Sequence, residues 1–385
     1  MVSGQDRRIG IIGASGAVGR VVTDVLAQTE GVTLVLGGRR PPSDMQAAAG
    51  KTARARIEAI AVDVLDAKAL HRFVDGLSVV VNCAGPSYVI GDRIARAALA
   101  AGADYVDPGG YDRLARALQS LDRDVTERGL RFVFNAGLLP GISGVLPAFL
   151  ASSCLDRVER LECVYVGTDK WSLASALDII DSLGDFGVRR HAGYISDGVH
   201  VPMPFRKSLR SLDPGAGLAR TTVALFHAEE IARLAAREAI PTVLVWGGNH
   251  GRRSGVVLAL AKCLALHRWR WSRHLAARSL AWASTADARR QPAAFVILCD
   301  LEGLRNGKPV RVTGSMRFGD TYLATGRIAG LATGMLLAPD RVRPGVAMLH
   351  EAVEPAALLT ALDGYGYERN ASTGDVFGED EHAIA

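Results

Sequence analysis

The sequence predicts an α/β chain: a doubly wound parallel sheet with helices on both faces, followed by a second, α+β domain. Three observations carry that prediction. Short β-rich apolar runs alternate with helical stretches through the first 145 residues, the pattern that builds a parallel sheet through right-handed crossovers. The first run opens onto a glycine turn, Gly13-Ala14-Ser15-Gly16-Ala17-Val18-Gly19, and then a helix. Beyond residue 150 the alternation gives way to a mixed pattern with a hairpin signal at Asn306-Gly307.

The elements follow in order. Strand 1 is read near 8–12, a helix near 17–28 and strand 2 at 32–36. A third run at 57–64 leads to a helix near 66–74. The fourth strand, 78–83, ends at Ala84-Gly85-Pro86 and precedes a helix near 90–101. A fifth strand at 104–107, a helix near 111–127 and a sixth strand at 131–136 complete the set. In such a sheet ligands gather at the carboxyl ends of the strands. Those ends carry the glycine turn, Arg39, Asp63, Ala84-Gly85, Asp107 and Gly137.

The glycine spacing has a physical reading. A dinucleotide pyrophosphate sits on a helix N-terminus, where open backbone N–H groups and the helix dipole favour negative charge. The first glycine makes the turn, the second admits the phosphates, and the third lets the helix pack on its strand. Strand 2 ends in Gly37-Gly38 and then Arg39-Arg40. An NAD site holds Asp or Glu there, to bind the ribose 2′-hydroxyl, whereas a guanidinium fork suits a 2′-phosphate. The cofactor inferred is NADP(H). The plain alternative for the two arginines is a solvated basic turn.

Composition bounds the class. The chain has 385 residues, a formal charge of +5 and a hydrophobic fraction of 49%, enough for roughly two domains with sizeable cores. The mild basicity suits an anionic cofactor, and no nucleic-acid motif accompanies it. The five cysteines are scattered, with no C-x-x-C, which points to a reducing compartment and a cytoplasmic location. Residues Met1–Arg7 run straight into the first strand, leaving no room for a signal peptide. No apolar run reaches the roughly 18 residues of a membrane span. His191, His200, His227 and His250 lack metal spacing, so no metal site is expected.

In this order, the glycine turn, Arg39-Arg40, Asn82-Cys83-Ala84-Gly85-Pro86, Tyr105-Val106-Asp107 and Gly137-Leu138-Leu139-Pro140-Gly141-Ile142-Ser143 resemble the saccharopine dehydrogenase-like NADP-binding oxidoreductase family. The run Gly319–Gly326 is similar more loosely, and the middle of the chain is weakly matched. The resemblance implies NADP(H) binding and reduction of C=N bonds in amino-acid and polyamine metabolism, or of C=C bonds on carrier-bound chains. The fold expected is a Rossmann-type parallel sheet with a second α+β substrate or dimerisation domain.

Domain boundaries are read at 1–145 for nucleotide binding and 146–330 for the α+β domain, which would close a substrate cleft. C-terminal helices at 331–369 return to the first domain, and 370–385 is a polar, acidic tail predicted to be disordered. Within the second domain a strand is read at 160–166, a helix at 172–183 capped by Ser172, and strands at 242–246, 294–299 and 309–314. The segment 252–290 interleaves Lys262 and six arginines with Trp269, Trp271 and Trp282 after Arg252-Arg253. Its plain reading is an amphipathic surface helix with the tryptophans packed inward. The alternatives are a docking face for an acidic partner such as a carrier protein, or a membrane-surface contact.

Hydride transfer asks the protein to position a cofactor, exclude water and supply a proton. Tyr88, past the fourth strand, Asp107, ending the fifth, and Lys170 with Asp169 in the second domain are the candidate catalytic groups. Their plain alternatives are a packing ring, a helix cap and a solvated charge. The candidate cofactor-binding residues are Gly13, Ser15, Gly16, Ala17, Val18, Gly19, Arg39, Arg40, Asp63, Val64, Ala84, Gly85 and Gly137. The reading is an NADPH-dependent reductase, acting on an imine of an amino-acid-derived metabolite, with a small-molecule substrate and a homodimeric state. Beside it stand a trans-acting enoyl reductase on a carrier-bound chain and a catalytically inactive nucleotide sensor.

Overall fold

The structure, a computed structural model, describes residues 7–40, 53–110, 112–185, 192–215, 218–290, 292–338 and 342–375. The chain divides into two compact units. The first comprises Met1–Ile142 and Tyr322–Leu362, the second Ser143–Thr321 and Asp363–Ala385.

The first unit is built on β1 (Arg7–Ile12), β2 (Val32–Gly38), β3 (Arg56–Ala61), β4 (Val79–Asn82), β5 (Asp104–Val106) and β6 (Arg131–Phe134). In space they run β3-β2-β1-β4-β5-β6, and a returning strand, Gly345–Met348, pairs with β6. Every pairing is parallel. This is the Rossmann order, in which the strand sequence reverses between β1 and β4 and leaves a crevice at their carboxyl ends. Central strands of such a sheet are covered on both faces and read as unbroken apolar runs. That is why Val79-Val80-Val81 and Leu34-Val35-Leu36 are buried throughout, while edge strand β3 is largely exposed. Phe73, Ile94, Tyr105, Phe132 and Met348 belong to one core cluster. The helix Thr321–Leu336 meets the first helix, Ala17–Leu26, through Gly326 and Gly330. A Cβ on either would lie 2.5 Å from Val21 or 2.8 Å from Val25.

Two helices of the sequence reading differ in detail. The helix read near 90–101 is Arg93–Ala101, preceded by an unread short helix, Ser87–Ile90, that ends at Gly91, whose φ is 57°. The stretch 111–127 forms Asp112–Gln119 and Asp122–Glu127.

The second unit holds a mixed sheet of β7 (Arg157–Thr168), β8 (Gly193–Ser196), β9 (Val199–Pro202), β10 (Leu209–Leu212), β11 (Thr221–Leu225), β12 (Thr242–Asn249), β13 (Ala294–Arg305) and β14 (Lys308–Phe318). Its main path is β10-β11-β12-β7-β13-β14, with Glu368–Asp375 paired to β14 at the edge. The β12–β7 pair is parallel and the other neighbours are antiparallel. Asn306 and Gly307 join β13 to β14 with φ of 52° and 74°, as a type I′ hairpin turn requires. Ser172 Oγ accepts the Ser175 N–H at 3.2 Å and caps the helix Leu173–Asp185.

Two expectations need correction here. Residues 368–375, read partly as a tail, form an ordered strand. Its side chains lie mostly in solvent, so its composition is polar although its backbone is paired along β14 from Val310 to Arg317; residues 376–385 lie outside the described residues. The basic tryptophan segment is two helices, Arg252–Cys263 and Arg270–Ala288, joined through a 3₁₀ turn at Leu266–Arg268. Its tryptophans do not pack inward: Trp269, Trp271 and Trp282 are 55%, 71% and 69% exposed.

Candidate functional site

The glycine turn lies where the ends of β1, β2 and β4 meet. The Gly13 N–H donates to Gly37 O at 2.8 Å, and the Ala14 N–H to the same oxygen at 3.2 Å. On the other side, Cys83 N–H donates to Ile12 O at 2.8 Å. Gly13 has a φ of 81°, and a Cβ there would lie 2.7 Å from the backbone of Cys83 and Ala84. At Gly19 a Cβ would lie 2.3 Å from Gly13 O, so only glycine lets the first helix close on its strand. Gly16 differs. Its φ is −72°, and a Cβ would come no nearer than 3.1 Å to Gly13 O. A Cβ at 16 would press on Gly13 O far less than one at 13 or 19 would press on backbone, and the lack of a side chain there keeps space open in front of the helix.

That helix, Ala17–Leu26, has no side-chain cap on its N-terminus. The first N–H groups of a helix have no partner within it and ask for an acceptor. Ala17 and Gly16 are exposed and Val18 is half-buried at this end. Ser15 is exposed beside them, its backbone oxygen accepting Arg20 Nε at 3.1 Å. Arg39 and Arg40 follow β2 and are exposed. Asp63 is exposed past β3, with Oδ1 accepting the Leu65 N–H at 3.0 Å, and Val64 packs against the core. The Ala84 N–H donates to Asn82 Oδ1 at 3.1 Å, which shapes the Ala84-Gly85 loop. Gly137 opens the turn after β6, where a Cβ would lie 2.9 Å from Pro108 O. The candidate cofactor residues therefore surround the carboxyl ends of one sheet.

A polar cluster lies under that surface. Asp107 is 2% exposed. Its Oδ2 accepts Asn82 Nδ2 at 2.9 Å and the Tyr105 hydroxyl at 2.6 Å, and its Oδ1 accepts the Gly109 N–H at 2.7 Å. Burial pushes the Asp107 carboxyl above the usual carboxylate range, against the three donors, which pull it down. The same burial, with Asp107 beside them, raises the Tyr105 hydroxyl and the Cys83 thiol. Both Asp107 oxygens are thus engaged within the protein, tying the ends of β4 and β5 together.

Tyr88 is half-buried in the short helix Ser87–Ile90. The preceding Ser87 Oγ lies 3.4 Å from where a Gly109 Cβ would stand, so the loops bearing Tyr88 and Asp107 adjoin. Lys170 belongs to the second unit and is exposed. Its N–H donates to Asp169 Oδ1 at 2.6 Å, and Asp169 Oδ2 accepts the N–H and hydroxyl of Thr321 at 2.7 and 2.6 Å. Asp169 is committed to that turn.

Sequence reading did not single out Asn82, Tyr105 or Asn135 as site residues, although the first two stand in the runs that carry the family resemblance. Asn135 is 2% exposed with φ 56°, and its Oδ1 has no hydrogen-bond partner. The available signal was an amide ending an apolar strand, as in Val79-Val80-Val81-Asn82 and Phe132-Val133-Phe134-Asn135.

Residues 9–132 match the family model described as the saccharopine dehydrogenase NADP binding domain. That match covers about a third of the chain and falls within the nucleotide-binding unit. NADP(H) is the cofactor that goes with it, and the glycine cradle, the uncapped helix and the exposed arginines fit that group. Apo saccharopine dehydrogenase (L-Glu forming) from Saccharomyces cerevisiae shares the fold. The TM-score is 0.70 at 14% identity, over 96% of this chain and 100% of that one. DAP dehydrogenase of C. glutamicum, in complex with DAP, aligns at TM-score 0.49 and 14% identity, over 93% of this chain and 98% of that one. An engineered D-amino acid dehydrogenase bound to NADP⁺ aligns at 0.48 and 15%, over 92% and 96%. No curated protein sequence matches the chain.

Proposed function

We propose that this saccharopine dehydrogenase-like oxidoreductase is an NADPH-dependent reductase acting on the C=N bond of an amino-acid-derived imine. The observation that carries the proposal is the nucleotide cradle: a glycine turn open at Gly16, an uncapped helix end, and Arg39-Arg40 at the position where an NAD site holds an acid. The yeast fold neighbour, a dehydrogenase whose name records an amino acid as product, supports the substrate class.

In this reading the backbone N–H groups of Ala17 and Val18 hold the pyrophosphate, and Arg39 with Arg40 clamps the 2′-phosphate. When bound, NADPH supplies the hydride. An imine accepts it more readily when protonated. Tyr88 is the candidate proton donor in the nucleotide unit, and Asp107 holds the loops in place.

A fluorescence titration with NADPH and NADH tests the cofactor assignment. NADPH should bind at least about tenfold more tightly, because a phosphate–guanidinium pair contributes on the order of 1.5–3 kcal/mol. Arg39→Asp should erase that preference. NADPH oxidation with mixtures of 2-oxo acids and amines then tests the reaction. Nucleotide binding without turnover on any such mixture would replace the reductase with a sensor. Absence of nucleotide binding would remove both.

A further inference from the structure

We propose that the two helices Arg252–Cys263 and Arg270–Ala288 dock the protein on an anionic phospholipid surface. The longer helix is apolar on both sides. Ala276, Ala277, Leu280 and Ala283 are buried, while Trp271, Leu275 and Trp282 are 71%, 58% and 69% exposed. The exposed three recur at intervals of four and seven residues, the spacing of one helix face. The shorter helix repeats the pattern, with Ala261 buried and Val256 and Leu260 more than half exposed. Leu264 and Trp269, between the helices, are 61% and 55% exposed. Large apolar side chains standing in solvent beside exposed arginines make a face suited to an interface with another surface.

Charge selects the occupant. From residue 239 to 286 the chain has no Asp or Glu, yet it carries seven Lys and Arg. Part of that charge is used internally: Arg273 pairs with Asp181, and Lys262 donates to Leu183 O at 2.9 Å. Arg252, Arg268, Arg270 and Arg278 are exposed, and Arg278 lies on the same face as Trp271 and Trp282. A two-fold contact between copies would set arginine against arginine. An anionic bilayer satisfies both components. Tryptophan rings settle at the headgroup level, leucines enter the acyl boundary, and arginines extend to the phosphates. The alternation Arg268-Trp269-Arg270-Trp271 places both kinds of group in one turn of chain. No described helix is long and apolar enough to cross a membrane, so the contact is with the surface.

Flotation of the full chain with vesicles decides the matter. Vesicles of equal parts phosphatidylcholine and phosphatidylglycerol should retain the protein at least about tenfold better than phosphatidylcholine alone, less so as salt rises. Trp269→Ala, Trp271→Ala and Trp282→Ala together should lower retention about tenfold or more, with the thermal midpoint unchanged because the rings are exposed. Arg268→Gln, Arg270→Gln and Arg278→Gln should remove the anionic preference. Failure to float on the anionic vesicles would overturn the proposal. So would equal retention of the tryptophan variant at an unchanged midpoint. Two further results would assign the face to protein instead: a wild-type dimer that the tryptophan substitutions dissociate, or tryptophan-dependent binding to a purified acidic carrier protein without vesicle binding.

Discussion

Asp107, just past β5 in the first unit, and Asp300, on β13 in the second, are both 2% exposed carboxyls, and they are held in opposite ways. Asp107 is surrounded by neutral donors from Asn82, Tyr105 and Gly109. Asp300 takes a two-point contact from Arg311, Nε to Oδ1 at 3.0 Å and Nη2 to Oδ2 at 2.6 Å. Directly across the β7–β13 pairing, Glu162 is 3% exposed and bridges Arg160 and Arg210. Arg210 in turn lies 5.0 Å from the Trp246 ring centre. Neutral donors satisfy a carboxyl's geometry without compensating its charge, so the group stays sensitive to protonation. Guanidinium partners compensate the charge and make the pair a structural fixture. The first arrangement lies beneath a ligand surface, the second inside a scaffold.

Removing one partner from the ionic side should have the largest effect. Arg311→Leu leaves Asp300 buried without its cation. Breaking a buried pair costs about 3–5 kcal/mol, and Arg311 is one-third exposed, so a loss near the lower end, about 3 kcal/mol, is expected in urea unfolding. A loss below about 1 kcal/mol would mean that solvent replaces the guanidinium, and the contrast would collapse.

The neutral side should show itself through pH. Because the folded carboxyl of Asp107 titrates above its ordinary value of 3.8, folding favours its protonated form. Its contribution is complete below the unfolded value and is lost as pH rises through the folded one. Asp107→Asn should therefore destabilise most at low pH, and the gap to wild type should narrow as pH climbs from about 4. Asp104, also raised by burial, is common to both proteins and cancels in the difference. A gap that widens with pH would show that the three donors outweigh burial.

The smallest effect on stability should come at Gly16, where a Cβ meets nothing nearer than 3.1 Å. Gly16→Ala should change the unfolding free energy by less than about 1 kcal/mol, yet weaken NADPH binding about tenfold or more. Gly19→Ala, with backbone 2.3 Å away, should instead lose the fold and the nucleotide together.

The two units were unequally legible in the sequence. Parallel strands are covered on both faces, so Ile9–Ile12, Leu34–Leu36 and Val79–Val81 stand out as apolar runs, and the glycine spacing marks the turn between them. In the second unit β13 and β14 are long and joined by Asn306-Gly307, and they were read. Strands β8 to β11 are four or five residues each, and β8 to β10 are largely half-exposed or exposed, too short for a period to declare itself. The outward tryptophans were hidden by a different ambiguity. When both faces of a helix are apolar, periodicity cannot say which one is buried. The Asp107 cluster was half visible: its acid was singled out, but its partners Asn82 and Tyr105 meet it only through strand adjacency.

The way the chain is threaded has a consequence for its synthesis. The ribosome finishes β6 at Phe134, but the strand that covers its outer edge is not made until Gly345–Met348. The second sheet likewise waits for Glu368–Asp375 to cover β14. In the interval each nascent sheet presents an uncovered row of backbone donors and acceptors, the kind of edge that recruits stray strands. A ribosome that stops just short of residue 345 would therefore release two unfinished sheets, one from each unit. Residues 345–375 work as a clasp for both halves of the molecule, and premature termination before them should yield aggregates in place of a free nucleotide-binding domain.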